Sequence, residues 1–120
     1  MLNKGMRSEE DQRINSILQK LMTLVFLPEN WNELELQVEL NKMGMSVEDL
    51  RNFDSNTLNQ HLVKFNFDWN HMEQFADALV VWSKREGHSD LKEKAKELYQ
   101  FIQTESKSFS FEIMNKISQL

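Results

Sequence analysis

Cysteine is absent from this 120-residue chain, proline occurs once and glycine three times. The missing cysteine excludes disulfides, thiolate nucleophiles and every zinc or iron–sulfur site built on thiolates. One proline (Pro28) and three glycines (Gly5, Gly44 and Gly87) leave little for the many tight turns a sheet protein of this length needs, so helices are expected. A cationic excess is absent as well. Fourteen Lys and Arg stand against nineteen Asp and Glu, a net charge of −5. The first sixty residues carry six basic and ten acidic side chains (−4), the last sixty eight and nine (−1). Nucleic-acid binders concentrate Lys and Arg to neutralise phosphates, so nucleic acid is not the expected partner. No long apolar run exists either. The stretch Leu21 to Leu27 is short and broken by Thr23, and Glu9, Glu10 and Asp11 precede it. Neither a membrane span nor a signal peptide fits that pattern, and the cytoplasm is the expected location.

What remains is ordinary material for one domain with one core: 40% hydrophobic and 28% charged residues. Residues 1–7 show no apolar periodicity and read as a loose leader. Ser8, with Asp11 three residues on, has the spacing of a helix cap. Ile14, Ile17, Leu18, Leu21, Leu24 and Val25 then recur on one helical face, predicting a first helix over 8–27 that Pro28 ends. Residues 34–40 alternate strictly between apolar and polar, the period of a strand. Helix is the preferred reading for 29–43, because Leu, Glu and Gln are good helix formers and no second alternating segment offers a strand to pair with. As a helix it has two apolar faces, Trp31, Leu34 and Val38 on one and Leu36, Leu40 and Met43 on the other. Gly44 supplies a left-handed stop. Short helices follow over 46–65, the first opened by the Ser46/Asp49 cap pattern, and Asp68 is placed to cap the next.

The clearest periodicity begins at Trp69, where Met72, Phe75, Ala76, Leu79 and Trp82 share one stripe. Beyond the turn at Gly87, Leu91, Ala95, Leu98, Tyr99 and Ile102 form another. So short a connection predicts an antiparallel helical hairpin over 69–105. Nine of the twelve aromatics fall between Phe65 and Phe111, which places most of the core's bulk there. Ser110 can cap a closing helix over 110–118, with Ile113, Met114 and Ile117 inward and Phe109 stapled near Met114. The expected fold is therefore all-α: a compact multi-helix domain with a C-terminal antiparallel hairpin and a closing helix.

Helix, Gly-containing turn, and a helix with a small residue four before an aromatic (Ala95 and Tyr99) resemble a degenerate tetratricopeptide-type hairpin over about 69–103. Phe75 and Trp82 match that family's first-helix aromatics in spacing, whereas Leu79 stands where a small residue is typical. No second copy is present, and the family's peptide groove needs at least about three stacked units. The segments Leu98 to Ile102 and Lys107 to Glu112 also resemble small bacterial helical proteins, a likeness that implies a fold and no activity.

Candidate chemistry is sparse. His61, His71 and His88 do not pair on a helical face, and Asp68 and His71, three apart, are better explained by capping than by a metal. No metal and no cofactor is expected. Serines 106, 108 and 110 lack a histidine nearby, and no Gly-rich loop is present to hold phosphate. The cations Lys84, Arg85, Lys92, Lys94 and Lys96 are interleaved with Glu86, Asp90, Glu93 and Glu97, which argues against a nucleic-acid ridge. The leading expectation is a non-enzymatic protein-interaction module that self-associates as a homodimer, through Leu21, Leu24, Val25, Phe26, Leu27, Leu36, Leu40 and Met43. The alternative is a small ligand-binding protein or enzyme with a pocket beside the 69–86 helix, facing the middle segment and using His71, Glu73 and Asp77, which otherwise read as a solvated face.

Overall fold

The structure, a computed structural model, describes the backbone of residues 2–120 and the side chains of residues 8–120. Among the described residues there are seven α-helices, one 3-10 turn and no strand. The order is α1 (Leu2–Phe26), the 3-10 turn Pro28–Asn30, α2 (Glu33–Lys42), α3 (Val47–Asn52), α4 (Ser55–Lys64), α5 (Trp69–Ser83), α6 (Leu91–Glu105) and α7 (Phe111–Ser118). No helix among these residues is long and apolar enough to cross a membrane.

Capping chemistry accounts for most boundaries. Asn32, Ser46, Asp54, Asp68 and Ser110 each accept a backbone N–H of the first turn of α2, α3, α4, α5 and α7 respectively. Pro28 ends α1 by pushing Leu27 into extended geometry (φ −105°, ψ 134°). Gly44, at φ +75°, allows the reversal after α2, and a Cβ there would lie 2.2 Å from the Phe65 ring, so both backbone and space demand glycine. One expected boundary moves. α1 begins at Leu2, which puts Ser8 inside the helix and carries the backbone of the supposed leader into it. A single glycine at position 5 costs too little to interrupt a run of good helix formers.

Trp69 meets Phe101 at one end of α5 and α6, Asp77 meets Tyr99 midway, and Trp82 meets His88 beside the turn. Those pairings run antiparallel, as the hairpin reading expects. α5 is the central element, packing against α6 on one side and α1 on the other. Met72, Phe75, Ala76, Leu79 and Trp82 of α5 join Ile14, Leu18, Leu21 and Val25 of α1 in one buried cluster. Each fully buried large side chain of that cluster contributes about 1.5–3 kcal/mol by leaving water.

Residues 33–42 are helical, and the burial shows which of their two apolar faces turns inward. Leu36, Leu40 and Met43 are buried while Leu34 and Val38 face out, Leu34 at 81% exposure. The expected self-association surface is corrected accordingly. Leu21, Leu24, Val25, Leu36, Leu40 and Met43 are all at most 2% exposed within a single chain. α1 and α2 cover them by packing on each other and on the hairpin. Phe26 and Leu27 alone of that set stay accessible, at 64% and 42%. In α7 only Ile113 is buried. Met114 is exposed, and Phe109 leans edge-on against Phe111 with ring centroids 4.9 Å apart.

Candidate functional site

The three residues expected to line a pocket beside α5 separate onto two sides of that helix. His71 is 1% exposed and not a surface histidine. Its backbone N–H donates to Asp68 Oδ1 at 2.8 Å, and its Nδ1 accepts the Asp68 backbone N–H at 3.0 Å, a reciprocal capping box. Nδ1 is thereby an acceptor, so the neutral ring carries its proton on Nε2, which lies 3.4 Å from Asp11 Oδ1 on α1. Ligand atoms of Asp11, Asp68 and His71 lie within 4.8 Å of one another, close enough to ask whether they hold a cation. The donor set fits poorly. Coordination through Nε2 moves the proton to Nδ1, where it would point at the Asp68 N–H and break the cap. The trio instead ties α1 to the start of α5.

Glu73 and Asp77 project from α5 towards α7, where Lys116 Nζ lies 2.6 Å from Glu73 Oε2 and 3.1 Å from Asp77 Oδ1. Asp77 Oδ1 also accepts the Tyr99 hydroxyl at 2.5 Å. The pair that reads as a solvated acidic face is thus a partly buried clamp on a lysine. Burial and then the bond to Asp77 push the Tyr99 hydroxyl far above its ordinary range. Burial alone would lower Lys116, but its bonds to Glu73 and Asp77 outweigh that and raise it. Both groups are moved away from neutrality, opposite to what general acid–base catalysis requires.

Beside this clamp a cleft of about 540 Å³ opens between the end of α1, the C-terminal half of α5, and α6 and α7. Met22, Val80, Val81 and Leu120 give it apolar walls, Asp77, Tyr99 and Lys116 its polar floor, and Lys84 and Lys92 its rim. Val81 and Lys84 also line a second hollow of about 240 Å³ that reaches Val25, Phe26 and Pro28. The two neighbouring hollows share Val81 and Lys84 and are together termed the groove, with exposed Phe26 lining the smaller one. Asp77 alone of the expected pocket residues lines it, on the side of α5 away from the middle segment. Tyr99 and Lys116 were not expected as site residues, nor were Met22 and the Val80–Val81 pair. The available signal was that pair, two apolar residues standing off the 69–82 stripe.

Elsewhere polar groups serve packing. His61 Nε2 lies 2.7 Å from the Met43 carbonyl, capping the end of α2. His88 Nδ1 accepts Trp82 Nε1–H at 3.2 Å and Arg51 Nη2–H at 2.5 Å, and its ring packs on Trp31. Burial, then the nearby Arg51 charge, lower its pKa below the usual histidine value. The supposed cationic ridge is dispersed. Arg85 lies 4.4 Å over the Trp31 ring, Lys94 donates to the Phe53 carbonyl, and only Lys84 and Lys92 border the groove. Family models, curated proteins and solved structures offer no match to the chain.

Proposed function

We propose that the chain is a non-enzymatic protein-interaction module whose docking surface is the groove from Leu120 and Met22 to Phe26. The observation that carries this reading is a pair of neighbouring hollows with apolar walls and an ionisable floor already satisfied internally. Asp77, Tyr99 and Lys116 bind one another, so the floor of the groove offers a partner no free charge. Apolar grooves beside helices accept the apolar face of a partner helix. Self-association through residues 21–43 is the weaker form of this idea, because six of its eight expected residues already lie in the chain's own core.

The test is selection of binders from displayed amphipathic helical peptides of about five turns, a length suited to helix-in-groove docking. Binders are expected to lose affinity with Met22→Gln and to keep it with Leu34→Ser, which removes the most exposed apolar side chain outside the groove. Binders sensitive only to Leu34→Ser, or an empty selection, overturn the reading. The 540 Å³ of the main hollow supports a second reading, since small-molecule sites span about 300–1,000 Å³. A small apolar ligand there would block peptide binding without requiring Phe26, so Phe26→Ser separates the two.

A further inference from the structure

Taking the groove as a docking surface, we infer that its partner is an amphipathic helix whose apolar face is flanked by Asp or Glu. Lysine outnumbers acidic side chains along this groove. Three lysines, Lys84, Lys92 and Lys116, line the main hollow against one acidic side chain, Asp77. Lys116 is neutralised by Glu73 and Asp77. Lys84 and Lys92 are exposed and have no ion-pair partner among the described residues.

The hollow between α1 and α2 differs in this respect. It too is lined by three cations, Arg13, Lys20 and Lys42. There each has its own acid: Glu10 at 2.6 Å, Glu35 at 3.4 Å and Glu39 at 3.0 Å. A chain with a net charge of −5 has carboxylates enough to pair Lys84 and Lys92, yet both line the hollow unpaired. Lys84 is at the end of α5 and Lys92 in the first turn of α6, so both lie at the turn end of the hairpin, within the hollow that Val80 and Val81 also line. The overall acidity of the chain does not forbid an acidic partner. At physiological salt the Debye length is about 8 Å, and the nearest charges dominate.

Three synthetic peptides test the assignment. They share one helical leucine pattern and differ in whether the flanking positions are Glu, Gln or Lys. Fluorescence anisotropy with the intact protein is expected to rank Glu over Gln over Lys, with the Glu peptide at least about tenfold tighter than the Lys peptide at 50 mM salt. That gap should narrow at 0.5 M salt. Lys84→Gln with Lys92→Gln should weaken the Glu peptide about tenfold and leave the Gln peptide unchanged. Both positions are exposed, and circular dichroism of the variant is the check that it folds. Equal binding of all three peptides overturns the acidic assignment while the docking reading stands. Binding by none of them overturns the acidic assignment, and if helix selection also finds no groove binder the docking reading falls with it. Preference for the Lys peptide, or a concentration-dependent dimer that occupies the groove, also overturns it.

Discussion

Replacing Lys116 with Met keeps the aliphatic stem and removes the charge that Glu73 and Asp77 share. Breaking a buried ion pair costs about 3–5 kcal/mol, and an exposed pair contributes about 0–1. Lys116, Glu73 and Asp77 retain 28%, 23% and 31% exposure, between those limits. Without the lysine the two carboxylates also face each other at i, i+4, which adds about 0.2–0.5 kcal/mol. An expected cost of about 2 kcal/mol corresponds to a roughly thirtyfold larger opening constant. Only Ile113 of α7 is buried, so the loss should appear first as detachment of that helix and not as global unfolding. Amide hydrogen exchange at Met114 to Ser118 is the assay, with urea denaturation alongside. Unchanged exchange in α7, with a urea shift under about 0.3 kcal/mol, no more than an exposed pair contributes, would refute the clamp.

Tyr99 is the only tyrosine, so its ionisation can be followed by tyrosinate absorbance without ambiguity. The folded protein should show almost none at pH 10, whereas half-ionisation there with the fold intact contradicts the Asp77 bond. The His88 pKa lies below 6.5 in the folded state, so folding releases protons from this residue. Its contribution to stability is complete above about pH 6.5 and is lost as pH falls towards the lowered pKa. His88→Asn should flatten that slope, and an NMR titration midpoint for His88 at or above 6.5 would refute it. Leu36→Ala should cost about 2–5 kcal/mol in urea denaturation, and Leu34→Ala no more than about 0.5. Equal costs would mean that α2 presents the wrong face.

Most boundaries, the start of α1 excepted, were legible in the sequence because they depend on neighbours in the chain. The Ser46/Asp49, Asp68/His71 and Ser110 caps, the break at Pro28 and the turn at Gly44 all occur where local chemistry puts them. Periodicity likewise revealed that α2 has two apolar faces. It could not show which one turns inward, because that depends on α1 and the hairpin closing over Leu36 and Leu40 and leaving Leu34 outside. The groove was less legible still. Its lining comes from Met22, Val80, Tyr99 and Lys116, drawn from four helices that only the tertiary fold brings together. Glu73 and Asp77 look like an ordinary solvated pair until α7 delivers a lysine to them, and His71 looks exposed until α1 covers it.

The central claim is that the Met22–Val80–Val81 trough is a docking surface for an acidic amphipathic helix. Intermolecular nuclear Overhauser effects between the intact protein and the Glu-flanked peptide test it most directly. The account predicts contacts from the peptide leucines to Met22, Val80, Val81 and Phe26, with Lys84 and Lys92 beside its carboxylates. Contacts confined to Leu34 and Val38, or no contacts at saturating peptide, would contradict it.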